Sequence, residues 1–194
     1  LYYVERMNEE SANALLKVME EPPEGVLFLL TADSLASVLP TIRSRCVSFA
    51  VAPVSPADCT RYCAAQGVDK KTAALYSELF DGHIGTVLAV ARDEARAAQV
   101  EKALELARAA AARDSYTAAV LLAAYEKDKA AASALLTDFR AVAAAGLRSS
   151  PRAPVQGTQA RQAVRLADAA LQRLGAQVNP KVVLSVFAAK LRTL

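Results

Sequence analysis

The fold is decided by three successive stretches near the start of the chain, Asn13-Ala14-Leu15-Leu16-Lys17, Val26-Leu27-Phe28-Leu29-Leu30-Thr31 and Leu39-Pro40-Thr41-Ile42-Arg43-Ser44-Arg45-Cys46. The first stretch belongs to a segment with apolar residues at helical spacing, and Pro22-Pro23 ends that helix. The second is a continuous apolar run, which is typical of a parallel strand buried on both faces. The third leaves the strand as a loop that carries an arginine. The sequence therefore predicts an α/β segment at this end of the chain.

The surrounding residues complete this predicted segment. Residues 1–4 are predicted to be the end of a strand, and residues 47–51 a further strand. Asn8 is predicted to cap the first helix, because an Asn side-chain oxygen can accept a hydrogen bond from a first-turn amide. Glu9 and Glu10, which follow it, are favoured near the positive end of the helix dipole. Residues 1–52 are expected to form one α/β domain.

The rest of the chain is predicted to be helical. Ser55-Pro56 is a cap followed by proline at the first helical position, and it opens a three-helix unit within residues 53–92. Residues 93–194 are alanine-rich, nearly free of glycine and predicted to form five helices, with Thr158 and Asn179 capping the last two. The predicted fold class is mainly α, with helices at 56–66, 70–80, 84–92, 94–113, 115–126, 129–147, 158–175 and 180–193.

The last two predicted helices each carry an apolar stripe. Such stripes belong to the core of a bundle or to a seam between subunits, and periodicity alone does not separate these cases. The stripe residues are Ala160, Val164, Ala167, Leu171 and Leu174 in one helix, and Leu184, Phe187, Leu191 and Leu194 in the other.

Composition limits the class of protein. Hydrophobic residues make up 54% of the 194 residues and charged residues 22%, which indicates a folded, soluble chain. No apolar run approaches the roughly 20 residues of a membrane span, so no membrane is expected. Three cysteines argue against a disulfide framework and favour a reducing cytoplasm. The chain does not begin with Met, and we expect an internal fragment or an N-terminal truncation.

Charge is distributed unevenly along the chain. Residues 140–194 contain nine Lys and Arg against one acid, a net +8, whereas residues 1–139 carry a net −5. A basic segment of this kind can contact nucleic acid or an acidic partner. A solvated helix face is the alternative, because the arginines are widely spaced and aromatic residues do not alternate with them for base stacking.

Several residues of the sequence are candidates for chemical sites. Cys59 and Cys63 are four residues apart on one predicted helix, but a structural zinc site needs four ligands, so buried structural thiols are the favoured interpretation. His83 lies in a glycine turn and is interpreted as a cap or surface residue. Arg45 follows the buried strand on a loop, where its guanidinium can contact phosphate or form a surface ion pair. No Gly-x-x-x-x-Gly-Lys-Ser/Thr loop occurs, so usual nucleotide binding by this polypeptide is not expected.

Helix, strand and arginine-bearing loop together resemble the second half of a P-loop ATPase domain. Ser44-Arg45-Cys46 matches the Ser-Arg-Cys motif of the clamp-loader subunits of bacterial DNA polymerase III, which are AAA+ ATPases. The amino-acid sequences of residues 39–46 and of Glu5 to Lys17 resemble the delta-prime branch of this family more than the gamma/tau branch.

The resemblance implies a role for each matched residue. Arg45 would be an arginine finger acting in trans on ATP and magnesium held by a neighbouring subunit. Arg43 is the weaker candidate for this role, because its position varies between subunit types of the family. Thr31 would occupy a polar sensor position, although a strand-end threonine bonded to backbone is an equal interpretation. Tyr2-Tyr3 stands where ATP-hydrolysing relatives carry an Asp-Glu pair, so this chain is expected to bind no cofactor and not to be catalytic alone.

The resemblance also implies an architecture and partners. Residues 1–52 would be the second half of an AAA+ domain, residues 53–92 a three-helix lid and residues 93–194 a five-helix collar. The collar would hold gamma/tau and delta subunits, and the assembled complex would load the sliding clamp on primed DNA in the cytoplasm.

Other functions remain open from the sequence. The chain can be a fragment of a gamma/tau-type ATPase, or a purely structural helical interaction module. Direct DNA binding by residues 140–194 is a third alternative. Because the apolar run at 26–31 lacks sheet neighbours within this chain, residues 1–51 are also expected to be poorly ordered or to associate with another copy.

Overall fold

The computed structural model describes residues 1–194 and is mainly helical, as predicted. Short 3₁₀ turns lie at Val4–Arg6 and Leu35–Ser37. The chain divides into two compact units, Leu1–Ala52 and Pro53–Leu194. The α-helices are α1 Glu9–Glu20, α2 Pro40–Arg43, α3 Pro56–Ala65, α4 Lys70–Leu79, α5 Ile84–Arg92, α6 Glu94–Ala112, α7 Ser115–Ala123, α8 Lys129–Leu147, α9 Gly157–Gly175 and α10 Pro180–Leu191.

The first unit is built around a small core beneath α1. Asn8 caps α1, since its side-chain oxygen accepts a hydrogen bond from the Ser11 amide at 2.8 Å, as the sequence predicted. Ile42 of α2 is buried in this core. The other buried members are Val4, Ala12, Leu15 and Val38, with Phe28 and Leu30 packed against them.

The predicted strands at 1–4, 26–31 and 47–51 are wrong, because these segments form no regular strand. Leu1 donates its terminal amine to the Leu29 carbonyl at 2.7 Å, and the Thr31 amide donates back to the Leu1 carbonyl at 2.9 Å. This is a fragment of a parallel pairing that does not extend. Residues 47–51 make no backbone hydrogen bonds at all. A β-strand is stable only when its backbone forms hydrogen bonds with a neighbouring strand. These three segments provide too few such neighbours for one another.

The helices of the second unit form as predicted, and most begin at side-chain caps. Their ends differ from the predicted positions by at most three residues, the largest difference being at α7. The predicted cap Thr158 is wrong, because α9 begins one residue earlier, after Gln156, whose amide nitrogen instead donates to the carbonyls of Ser150 and Ala153. Capping oxygens that accept from a first-turn amide belong to Ser55, Asp69, Asp93, Asp114, Asp128 and Asn179.

One hydrophobic core runs through all eight helices of the second unit. Phe139 of α8 and Phe187 of α10 meet edge to face, with ring centroids 5.4 Å apart. The stripes of α9 and α10 lie in this core, since Ala160, Ala167 and Leu174 are fully buried, together with Leu184, Phe187 and Leu191. The stripes therefore form an intramolecular core rather than a seam left open for another subunit.

Helix α8, Lys129–Leu147, is by length and composition apolar enough to cross a membrane, although charged residues interrupt its apolar run. Half of its most apolar window is buried inside the unit, as in the core helix of a soluble bundle.

Candidate functional site

The helix α2 places the arginine that the sequence singled out. Pro40 occupies its first position, where a missing amide hydrogen costs nothing. Ile42 is 1% exposed and fixes the helix to the small core of the first unit. The chain then turns, with the Arg45 amide donating to the Ile42 carbonyl at 3.1 Å. The backbone at Arg45 is therefore held in place by the buried side chain of Ile42.

The Arg45 guanidinium is held by local contacts and remains partly open to solvent. Its Nη1 donates to the Thr41 carbonyl at 3.0 Å, and its Nη2 forms an ion pair with the Glu20 carboxylate at the end of α1. The side chain is 39% exposed. A guanidinium in this state carries a full charge and can exchange its carboxylate partner for phosphate oxygens.

The neighbouring motif residues support the turn rather than adding chemical groups to the guanidinium. Ser44 Oγ donates to the Thr41 carbonyl at 3.0 Å and lies 3.5 Å from Arg45 Nη1. Cys46 is half-buried, reduced and packed against the core that contains Ile42. The three residues of the motif thus share one turn.

Thr31 is bonded to backbone and not to the arginine. Its Oγ1 accepts a hydrogen bond from the Tyr3 amide at 3.4 Å, and its carbonyl accepts one from the Val4 amide at 3.1 Å. It makes no hydrogen bond with Arg45 or Ser44. The contacts of Thr31 are therefore those of a threonine bonded to backbone, which was the alternative to a sensor position.

Glu20 is the site residue that sequence analysis did not single out. It lies in the Glu20-Glu21-Pro22-Pro23 segment, and the proline pair that ends α1 leaves its carboxylate near the third stretch. The available signal was the position of an acid at the last residue of the helix. Nothing in the spacing indicates which of two adjacent glutamates meets an arginine 25 residues later.

The cysteine pair and the histidine of the second unit form no open site. Cys59 and Cys63 are fully buried, with their Sγ atoms 4.0 Å apart. Burial, and then the neighbouring thiol, raises the pKa of Cys63 to about 11, so this thiol is protonated at neutral pH. His83 Nδ1 lies 2.7 Å from the Phe80 carbonyl, just before α5.

The basic residues of the segment 140–194 fall into two groups. Some neutralise acids within the second unit, such as Arg140 beside Asp168 and Lys181 beside Glu126. Others form no ion pair and are exposed, and they all lie on α9, on α10 or just after α10. These unpaired cations are Arg161, Arg165, Arg173, Lys190 and Arg192.

Comparison with known proteins finds a family model and relatives that are similar to the first unit. Residues 1–55 match the family model described as DNA polymerase III, delta subunit. A DNA polymerase III subunit delta' of Haemophilus influenzae is 62% identical over 42 residues, which is 22% of this chain and 13% of that protein. This segment is delta-prime-like. The predicted resemblance to clamp-loader subunits is therefore confirmed for the residues that include Arg45.

Other relatives show the same pattern and the extent of the match. The delta' subunit of Yersinia pestis is 44% identical over 62 residues, covering 32% of this chain and 18% of its own length. A gamma subunit of Buchnera aphidicola is 40% identical over 55 residues, covering 28% of this chain and 15% of its own length. The chain spans less than a fifth of each of these relatives, and the matched family model ends before α3.

Proposed function

We propose that this chain acts as a delta-prime-like subunit of the DNA polymerase III clamp loader. In this role it assembles with gamma/tau and delta subunits in the cytoplasm and helps load the sliding clamp on primed DNA. It is not catalytic alone and holds no nucleotide through these residues. It supplies Arg45 to ATP and magnesium bound by a neighbouring subunit.

The state of Arg45 is the observation that carries the proposal. Its backbone is anchored through Ile42, while its guanidinium is charged, partly exposed and bound to one exchangeable carboxylate. In phosphoryl transfer, an arginine supplied by a neighbour neutralises charge developing on the γ-phosphate and typically contributes about 10³–10⁵ in rate. A backbone anchored by a buried side chain and a charged group that is partly open to solvent are what such a residue requires, and both support the proposal.

The helical unit has the complementary role in the proposal. Residues 53–92 would act as the lid and residues 93–194 as the collar that holds the neighbouring subunits. In the proposed collar, α8 packs against both α6 and α9 and contributes its buried residues to one shared core, which supports a role as a scaffold. The motif residues Ser44 and Cys46 keep the finger loop in its turn, and Thr31 remains a candidate sensor position.

The test is the ATPase rate of a reconstituted clamp loader that contains the full-length protein, with sliding clamp and primed DNA present. We expect Arg45→Ala to lower the rate at least tenfold, with assembly unchanged in size-exclusion chromatography. Arg43→Ala is the matched control, because Arg43 is exposed, two residues away and free of ion pairs, and it should leave the rate within about twofold of wild type.

Two alternatives correspond to other outcomes of this test. An unchanged rate for Arg45→Ala would leave Arg45 as the partner of Glu20 and favour a purely structural interaction module. The match to a gamma subunit favours the second alternative, a gamma/tau-type ATPase. In that case the full-length protein alone would hydrolyse ATP, and its upstream sequence would contain a phosphate-binding loop.

A further inference from the structure

The ion pair between Glu20 and Arg45 joins two elements that pack on the same small core. Glu20 is the last residue of α1, and the buried side chain of Leu15 anchors this helix in the core. Arg45 follows α2, which Ile42 anchors in the same core. The packing of α1 against α2 therefore brings the carboxylate within reach of the guanidinium.

The position of Glu20 on α1 is unfavourable unless its carboxylate has a cationic partner. The carbonyl end of a helix carries a partial negative charge, so acids are disfavoured in the last turn and cations are favoured there. Glu20 is nevertheless an acid at that end, where Lys17 is the basic residue of the last turn. The helix end and the Glu20 carboxylate both attract a positive charge, and the guanidinium of Arg45 supplies it.

The guanidinium of Arg45 is turned back onto its own unit. Its Nη1 donates to the Thr41 carbonyl at 3.0 Å and lies 3.5 Å from Ser44 Oγ, while its Nη2 pairs with Glu20. A carboxylate in contact with a guanidinium leaves the pair nearly neutral, so a phosphate that approaches it meets little net positive charge. Arg45 can therefore neutralise charge on a phosphate only after the Glu20 carboxylate has moved away.

The exposure of the pair determines how easily the two groups separate. The side chain of Arg45 is 39% exposed and that of Glu20 is 51% exposed. Ion pairs exposed to this extent bias an equilibrium by at most about fivefold, because water screens the two charges. Such a pair is weak enough for phosphate oxygens to displace the carboxylate, and strong enough to hold the guanidinium when no phosphate is present.

We propose that Glu20 restrains Arg45 by occupying the place of a phosphate on its guanidinium. The carboxylate holds the guanidinium on α1 until a neighbouring subunit presents the γ-phosphate of its ATP, whose oxygens then displace the carboxylate. Glu20 acts through Arg45 and keeps the ATPase rate of the neighbour low before the complex engages clamp and DNA. This assignment rests on the proposed function, in which Arg45 contacts ATP on a neighbour, and it adds the regulation of that contact.

The test is the ATPase rate of a reconstituted clamp loader that contains the full-length protein, measured at saturating ATP without and then with sliding clamp and primed DNA. Glu20→Gln keeps the shape of the side chain and removes its charge. Without clamp and DNA it should raise the rate about two- to fivefold, which is the bias that an exposed ion pair provides. With both present the rate should stay within about 1.5-fold of wild type, because phosphate has then already displaced the carboxylate.

Two further variants separate restraint of Arg45 from a structural role of Glu20. Glu21→Gln is the matched control, because Glu21 is adjacent, exposed and in no ion pair, and it should leave both rates within about 1.5-fold of wild type. The double variant Glu20→Gln with Arg45→Ala should have the same rates as Arg45→Ala alone. A contribution of Glu20 to the stability of α1 would not depend on the residue at position 45. Thermal melts and size-exclusion chromatography check folding and assembly of every variant.

The other results distinguish failure of this assignment from failure of the proposed function. If Arg45→Ala lowers the rate at least tenfold but Glu20→Gln has the same rates as Glu21→Gln, the restraint is overturned and the proposed function stands. The same conclusion holds if Glu20→Gln lowers the rates, since Glu20 would then orient Arg45, or if it raises them equally when Arg45 is already alanine. If Arg45→Ala leaves the rate unchanged, the proposed function fails and the restraint fails with it.

Discussion

Arg45, the residue that carries the proposed function, is held in its turn by an ion pair with Glu20. Arg45 stands in a short motif whose residues are adjacent in the chain, so the resemblance located it directly. Its ion pair with Glu20 joins two elements 25 residues apart, and it depends on how α1 and α2 meet over Ile42. Tertiary contacts of this kind follow from packing, which the periodicity of either helix does not specify.

A second residue-scale contact predicts a large effect on stability. Asp138 of α8 is 3% exposed, and its carboxylate accepts two hydrogen bonds from the guanidinium of Arg96 on α6. This hydrogen bonding raises the pKa of Arg96, so the arginine stays charged at any accessible pH. Asp138→Ala leaves that charge partly buried and unpaired, and we expect the free energy of unfolding to fall by about 3 kcal/mol in urea denaturation.

Asp168→Ala is the control for this prediction. Asp168 of α9 also forms an ion pair with an arginine of another helix, Arg140 of α8, but both side chains of this pair are half-exposed. Exposed pairs contribute little, so we expect a loss of less than about 1 kcal/mol. Equal losses for the two variants would contradict the view that burial gives the Asp138 pair its importance.

At the scale of elements, the contact between α8 and the segment before α9 predicts the effect of a single methyl group. Gly146 lies near the end of α8, and a Cβ atom there would come within 1.9 Å of the Val155 carbonyl oxygen and 3.1 Å of Ala160 Cβ. Backbone cannot move aside as a flexible side chain does. We therefore expect Gly146→Ala to lower the free energy of unfolding by about 1–3 kcal/mol, although alanine is the better helix former.

Gly175→Ala provides the comparison for that measurement. Gly175 ends α9, and a Cβ atom there would meet nothing within 4 Å. With no steric conflict, helix propensity decides, and the variant should be unchanged or more stable by up to about 1 kcal/mol. Thermal denaturation of both variants checks the pair. A stable Gly146→Ala protein would show that the segment at Val155 is free to shift.

Elements that depend on their own sequence were predictable, and those that depend on distant partners were not. Helices such as α3 and α10 are set by a capping side chain followed by proline, and they lie where the sequence predicted them. The strand predicted at 26–31 has the right apolar composition, but a strand needs hydrogen-bonding neighbours that these residues do not supply. The start of α9 was not predicted correctly, because Gln156 precedes the helix and its side chain bonds the preceding loop rather than capping the helix as Thr158 was expected to do.

At the scale of the whole molecule, the two units differ in how completely they bury their apolar residues. The unit Pro53–Leu194 has a continuous core, whereas the unit Leu1–Ala52 exposes apolar residues along extended segments. Leu27 is 81% exposed and Phe49 84%, and their backbones lack the partners of a sheet. Exposed apolar residues on extended, unpaired backbone are the usual sites of edge-to-edge association.

The 194-residue chain is therefore expected to self-associate through its first unit as concentration rises, which sedimentation velocity between about 1 and 100 µM measures. The double variant Leu27→Lys with Phe49→Lys should abolish this association, because a charge at each position opposes both apolar contact and strand pairing. Tyr116→Lys changes an equally exposed residue of the second unit and should leave the association intact. A chain that stays monomeric throughout, with residues 1–51 protected from hydrogen exchange, would contradict the prediction, since it would mean that the short core beneath α1 alone keeps these segments ordered.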